Sequence, residues 1–161
     1  MTDKAYLIRA FRAGDAAAFA SLNRRWIEEL FGMEEEDRRV LETPEEAIIA
    51  PGGYIAIADI DGETVGTGAL MMSDEHPEML ELVKMATDPK AQGKGIGSAV
   101  MDHLIAVAKE RGAKQIWLET NDKLSAATAL YKRKGFRTLA ADDLHPTPYS
   151  RCNLQMVLDL N

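Results

Sequence analysis

Gln92-Gly93-Lys94-Gly95-Ile96-Gly97-Ser98 is the stretch from which the fold can be read. It follows a β-rich run ending Met85-Ala86-Thr87-Asp88-Pro89. It opens a segment in which Ile96, Ala99, Val100, Leu104, Val107 and Ala108 recur at helical spacing. Glycines let a backbone approach a ligand closely and present successive N–H groups to it. A helix N-terminus adds orphan donors and the positive end of a dipole. A strand, a glycine loop and a helix in that order predict a cradle for a pyrophosphate. Two familiar phosphate loops do not fit. A P-loop needs GxxxxGK followed by Ser or Thr, whereas Gly93-Lys94 is followed by Gly95. A dinucleotide fingerprint needs a third glycine where Ser98 stands, and it opens a domain rather than following 90 residues of chain.

Reading outward, Gly112 ends the helix and Gln115–Glu119 reads as a strand. Asn121 or Asp122 then caps a helix running to about Lys134, stopped by Gly135, and the final strands are 136–140 and 152–160. Upstream, Tyr6–Arg9 is a short strand, and Gly14-Asp15 offers an N-cap for a helix over 16–31. The acidic stretch from Met33 to Ala50 holds one or two short helices broken at Pro44. Strands at 54–60 and 64–72 are joined by the hairpin signal Asp61-Gly62, with Gly66 and Gly68 marking a bend or bulge; 78–87 is a third strand. The order β-α-α-β-β-β-α-β-α-β-β contains a strand–helix–strand crossover, so the class is α/β with a mixed sheet.

The chain has 161 residues, 46% hydrophobic and 28% charged, which predicts one globular domain over 1–161 without repeats or linkers. The longest apolar runs fall far short of the ~20 residues of a membrane span. The opening MTDKAYLIRAFRAGD has no apolar core of a secretion signal. Cys152, the one cysteine, excludes an internal disulfide and a CxxC zinc site; no metal is expected, and a reducing cytoplasm is the expected location. The net charge of −7 argues against nucleic-acid binding. Charge is divided unevenly: 7 Lys and Arg against 17 Asp and Glu in residues 1–80, but 12 against 9 in 81–161. The second half suits an anionic ligand and the first a cationic one.

Gln92-x-x-Gly95-x-Gly97, after a strand ending at Thr87, resembles the acetyl-coenzyme-A-binding signature of the GCN5-related N-acetyltransferase superfamily. Leu118-Glu119-Thr120-Asn121, then Ala126-Ala127 and Leu130-Tyr131-Lys132-Arg133-Lys134-Gly135-Phe136, resemble a second motif of the same superfamily. The motifs cover about residues 81–137, and the element order extends the likeness to the whole chain. The resemblance implies a twisted mixed sheet of about seven strands, splayed in the middle and flanked by about four helices. It also implies acetyl-CoA wedged in the split, with the strand at Met85, Ala86 and Thr87 along the pantetheine. The backbone N–H groups of Gly93, Lys94, Gly95, Ile96, Gly97 and Ser98 would hold the pyrophosphate, beside Gln92. Asn121 would lie near the pantetheine and Tyr131 near the sulfur. Small members of the superfamily make a homodimer an expectation as well.

The chemistry so implied is acetyl transfer from acetyl-CoA to a primary amine of a small molecule or peptide, directly, in a ternary complex. An alkyl ammonium has a pKa near ~10.4, so it must lose a proton before it attacks a thioester. Glu81, on the strand that carries the cofactor contacts, is the candidate base, with Glu119 the weaker alternative. An exposed strand N–H such as that of Ala86 could hold the oxyanion. The leaving thiolate gains from an acid, and Tyr131 is the candidate. A CoA-binding module without turnover would keep the loop but need neither Tyr131 nor a base. A longer acyl group is a further alternative.

At the end of the chain, Cys152, Leu154, Met156, Leu158 and Leu160 alternate as the buried face of a strand should. Tyr149, Arg151, Asn153 and Gln155 then share the opposite face. The Tyr-x-Arg-x-Asn run resembles the end of small prokaryotic members, beside the acceptor cleft. Arg151, with Tyr149 and Asn153, is therefore a candidate acceptor group, its guanidinium fork fitting the carboxylate of an amino-acid-like amine. A plain ion pair with a carboxylate of the chain is the competing reading. Cys152 has no activating partner in view and is expected to be inert. His76, His103 and His145 show no partner either; Met71, Met72 and Met79 read as core or pocket wall.

Overall fold

The computed structural model describes residues 5–160. Its sheet comprises β1 (Tyr6–Ala10), β2 (Tyr54–Ile60), β3 (Glu63–Met72), β4 (Met79–Thr87), β5 (Gln115–Thr120), β6 (Arg137–Thr138) and β7 (Leu154–Asp159). The spatial order is β1-β2-β3-β4-β5-β7-β6. Only β4 and β5 are parallel. The helix between them supplies the crossover that a parallel pair requires. The helices are α1 (Ala16–Leu30), α2 (Glu35–Glu42), α3 (Ile96–Glu110) and α4 (Ser125–Arg133), with a π-helical turn at Glu45–Ile49. The predicted element order, the mixed sheet and its seven strands are all found.

Strand alternation divides the sheet between two cores. Ala56 and Ala58 of β2, with Leu80, Leu82, Ile116 and Leu118, face α3, whose Val100, Met101 and Leu104 are buried on them. Ile55 and Ile57 face the other way, onto Phe19 and Ile27 of α1 and Val40 and Leu41 of α2. The small residues lie on the α3 side for a steric reason. A Cβ at Gly66 would stand 2.6 Å from Cγ2 of Ile96, and one at Gly68 2.4 Å from Sδ of Met85. α3 thus rests almost on the β3 backbone, which fixes where its N-terminus points.

Gly66 and Gly68 sit beside the predicted irregularity. Thr67 pairs with Ala86 and Ala69 with Val83, so Lys84 and Met85 together face Gly68: a β-bulge. Lys84 takes φ +56°, a left-handed conformation rare for a long side chain.

Three expectations change. α4 starts at Ser125, because Asn121 Oδ1 accepts Lys123 N–H (2.9 Å) and holds the preceding residues in a turn. β6 is two residues long and β7 begins only at Leu154. Tyr149, Arg151 and Asn153 therefore lie in the irregular segment before β7 and not on one face of a strand. Asp15 does precede α1, but its side chain makes no cap; Arg9 (2.7 and 3.1 Å) and Arg12 N–H (2.8 Å) take its carboxylate.

Candidate active site

The β4–β5 ladder holds at Met79↔Gln115, Leu80↔Ile116 and Glu81↔Trp117, and then stops, although β4 runs on to Thr87 and β5 to Thr120. The bulge at Lys84–Met85 bends β4 away at that point. The β5-facing edge of Val83–Thr87 is left without a strand partner, so its main-chain groups are available to an extended ligand. A cleft of about 550 Å³ fills the split. Its walls bring together residues distant in sequence: Glu81, Met85, Ala86 and Thr87 of β4, the glycine loop, Asn121, Tyr131, Tyr149 and Arg151.

At one end, Gly93 (φ +83°) and Gly95 (φ +77°) turn the chain into α3. The first helical amide with a backbone acceptor is Ala99 N–H, to Gly95 O at 3.0 Å, so those of Ile96, Gly97 and Ser98 point outward. A Cβ at Gly93 or Gly95 would meet nothing of the chain, and one at Gly97 only Leu130 (3.7 Å) and Thr87 (3.8 Å) at ordinary contact. The room in front of the loop is thus room for a ligand, bounded by backbone donors and by Arg133. That donor set fits the pyrophosphate of coenzyme A. Gln92 lines the cleft; the Lys94 side chain is exposed and outside its walls, so what Lys94 offers there is its backbone.

Glu81 stands where the strands part. Burial, reinforced by the neighbouring Glu119, pushes its carboxyl up to about 8, into the range of a general base at neutral pH. Its carboxyl makes no hydrogen bond among the described residues. Glu119, two residues beyond Glu81's partner in the ladder, accepts the Thr147 hydroxyl on Oε1 (2.7 Å), while Oε2 is buried without a partner among the described residues. Burial raises Glu119 also, against that hydrogen bond. Tyr131, on α4, is 8% exposed, its ring against Phe136 (5.9 Å between centroids). Burial raises its hydroxyl to about 12, so it holds its proton at neutral pH. Cys152 also lines the cleft, but burial lifts its thiol to about 12, which disfavours the thiolate a nucleophile needs.

The far end is built by a charge network. Asp37, at the start of α2 and fully buried, accepts both guanidinium nitrogens of Arg151 (2.6 and 2.7 Å), Lys84 Nζ (2.5 Å) and Glu34 N–H (2.9 Å). Burial opposes its ionisation, but the bonds from Arg151 and Lys84 outweigh it and hold the carboxyl near 2. Lys84 also donates to the Tyr149 hydroxyl (3.2 Å), and Arg151 lies 4.3 Å above the Tyr149 ring. Arg151 and Tyr149 thus reach the cleft as expected, but the carboxylate in the arginine's fork is the chain's own. Asn153 does not reach it: its amide bonds Asp122 N–H (2.9 Å) and the Asp122 carboxylate (3.2 Å), and it stands outside the walls. Asn121 borders the cleft, with its amide donating to Arg151 O (2.8 Å).

Asp37, Glu34 and Lys84 escaped the sequence reading. Two signals were there. Glu34-x-x-Asp37 has capping-box spacing, and the structure contains that box. Lys84 interrupts the apolar run Leu82-Val83 and Met85-Ala86 in a strand buried on both sides. The histidines all have partners. His103 bonds the Tyr54 hydroxyl (2.7 Å). His76 and His145 stack edge to face (5.0 Å), with Trp117 5.1 Å from His145, around a second hollow of about 300 Å³ that shares Glu81 with the cleft.

Among the described residues no cluster of side chains is arranged to hold a metal, and no helix is long and apolar enough to cross a membrane.

Comparison with known proteins agrees with this geometry. The model of the acetyltransferase (GNAT) family matches residues 19–136. The uncharacterized N-acetyltransferase YjgM of Escherichia coli K12 is 31% identical over 111 residues, 68% of this chain and 66% of that protein. The [ribosomal protein bS18]-alanine N-acetyltransferase of the same organism is 42% identical over 55 residues, 34% of this chain and 37% of that protein. The matched segments thus span at most about two-thirds of these relatives. An acetyltransferase of the GNAT family from Staphylococcus aureus Mu50 superposes with a TM-score of 0.86 at 25% identity, over 98% of this chain and 100% of that one. N-acetylglutamate synthase from Neisseria gonorrhoeae, solved with coenzyme A and N-acetylglutamate, superposes at 0.72 and 23% identity, over 99% of this chain and 36% of that one. With the family model spanning most of the chain and the split sheet ending on a glycine-lined helix N-terminus, the chain belongs to the acetyltransferase (GNAT) family.

Proposed function

We propose that the protein transfers the acetyl group of acetyl-CoA to a primary amine of a small molecule or peptide, directly and without an acetylated enzyme. One observation carries the reading: a single cleft joins the glycine cradle, the unpartnered edge of β4, Glu81 and Tyr131. Bound acetyl-CoA would supply the thioester carbon that the amine attacks. The N–H groups of residues 93–98 hold the pyrophosphate, and the free edge at Met85–Thr87 pairs with the pantetheine amides. Glu81, at the mouth of the split, takes the proton that an ammonium must lose. Tyr131, protonated and with its hydroxyl unbonded among the described residues, gives a proton to the leaving sulfur. The raised Cys152 thiol, with no activating base paired to it among the described residues, supports direct transfer.

The presence of both a base and an acid in the cleft favours turnover over a module that only binds coenzyme A. The test is thiol release from acetyl-CoA in the presence of a broad panel of amines: peptide N-termini, lysine side chains, polyamines, aryl-alkyl amines and amino acids. Amine-dependent release with a matching N-acetyl product is the expected result. Tight binding of coenzyme A with no release for any amine would sink the reading.

A further inference from the structure

We infer, resting on the amine-acetyltransferase reading, that the acceptor carries no carboxylate beside its amine. Its recognition comes from two acidic side chains of the protein, Glu81 and Glu119, and not from a cation.

The argument starts from the positive groups at that end of the cleft. Arg151 and Lys84 line it, and both are committed. The two-pronged face of Arg151 is closed on Asp37 (2.6 and 2.7 Å) and its Nη1 also reaches Glu34 (3.5 Å). Lys84 Nζ is divided between Asp37 (2.5 Å) and Tyr149 Oη (3.2 Å). Asp37 and Glu34 thus balance both positive charges at close range, and drawing either cation off towards an incoming carboxylate would leave a fully buried Asp37 short of a partner. Lys123, at the rim, is held by Leu30 O (3.0 Å) over the Phe31 ring (4.3 Å).

The polar groups left over are two acidic side chains. Among the described residues the Glu81 carboxyl has no hydrogen bond, and Glu119 Oε2 is buried without one. In a described chain where every other buried side-chain nitrogen and oxygen is satisfied, that oxygen is the exception. It lies on the same strand face as Glu81, one pleat further along the split. A primary amine at Glu81 with a second donor, an amide N–H or another ammonium, satisfies both. A carboxylate next to the amine would instead meet two acidic side chains and cations whose charge Asp37 and Glu34 already balance. The remaining wall, Trp26, Leu30 and Phe31, accepts an apolar or aromatic body.

The experiment compares acceptors that differ in one group: 2-phenylethylamine, phenylalaninamide and phenylalanine with saturating acetyl-CoA, rates referred to the concentration of unprotonated amine. If a different amine proves fastest in the broad panel, its own matched amine, amide and acid replace these. The expected result is kcat/KM at least tenfold higher for the amide and the amine than for the acid. In Glu119→Gln, which keeps the shape and removes a charge, the amide-to-acid ratio is expected to fall at least threefold. An acid that matches or beats its amide overturns this inference and leaves acetyl transfer standing. A ratio unmoved by Glu119→Gln also overturns it. Failure of every amine in the broad panel, with coenzyme A still bound, removes the underlying reading and this inference together.

Discussion

Arg151 closes both terminal guanidinium nitrogens, Nη1 and Nη2, on the carboxylate of Asp37, at 2.6 and 2.7 Å, across 114 residues of sequence. This contact ties α2, the segment before β7 and, through Lys84, the bulge of β4 into one unit beside the cleft. The bulge carries a long side chain at φ +56°, a backbone state that costs of order 1 kcal/mol or more and persists only where the surroundings hold it. Lys84 meets that condition because its ammonium is held by both Asp37 and the Tyr149 hydroxyl.

Asp37→Ala is therefore expected to be severe. It leaves two cations at a buried site without their partner, a change worth about 3–5 kcal/mol. Urea unfolding should show the loss; less than 1 kcal/mol would mean that the network contributes little. In the parent protein, the depressed carboxyl also sets a pH dependence. The unfolded chain takes up this proton near the ordinary value of 3.8 and the folded one only near 2, so the stabilisation is complete above about pH 4 and lost as pH falls towards 2. A stability profile flat from pH 5 to 2.5 would contradict this.

Glu81→Gln separates function from stability. As a base, Glu81 should contribute 10²- to 10⁴-fold in kcat, and kcat/KM should rise with pH through about 8 as it loses its proton. Its folded value is raised, so the folded state binds the extra proton and the penalty on folding appears as pH climbs from about 4.5 to above 8. Glu81→Gln should then be more stable than the parent at pH 9, by 1 kcal/mol or more, with little difference at pH 5. A variant that is fully active, or one whose stability gain is greater at pH 5, removes Glu81 from the role.

Tyr131→Phe deletes one hydroxyl that makes no hydrogen bond among the described residues and keeps the ring on Phe136. Stability and coenzyme A affinity should hold within about twofold. kcat should fall by one to three powers of ten, in line with loss of a general acid. Wild-type kcat, under conditions where chemistry limits the rate, would exclude the assignment.

Gly97→Val tests the cradle without breaking the fold. The new Cβ finds Leu130 and Thr87 only at ordinary contact distance, so circular dichroism and unfolding should change little. The branch projects into the space in front of the helix N-terminus, and calorimetry should show coenzyme A affinity reduced tenfold or more. Gly95→Val adds backbone strain at φ +77° and should also cost stability. Unchanged affinity in a folded Gly97→Val protein would place the pyrophosphate elsewhere.

Local order was legible in the sequence because it is written in local terms. Gln92 to Ser98 specified a strand end, a turn rich in left-handed glycines and a helix start, since each is a short-range steric or hydrogen-bonding demand. The same holds for the hairpin at Asp61-Gly62, for Gly68 beside the bulge and for the strand carrying Glu81. The end of the chain was not legible in this way. Cys152 to Leu160 alternates like a strand from its first residue, yet β7 begins at Leu154 because Asn153 and Arg151 are drawn aside by Asp122 and Asp37. Whether Arg151 would meet a ligand or the protein depended on a carboxylate 114 positions away, whose burial no local pattern encodes. The same is true of Glu119: its place in a motif was visible, but an oxygen left without a partner exists only once β4 and β5 have separated around it. Sequence determined which segments could make a cradle and where a base and an acid could stand. Tertiary structure decided which charges remain free to meet an acceptor, because pairing is settled by three-dimensional proximity and desolvation rather than by spacing along the chain.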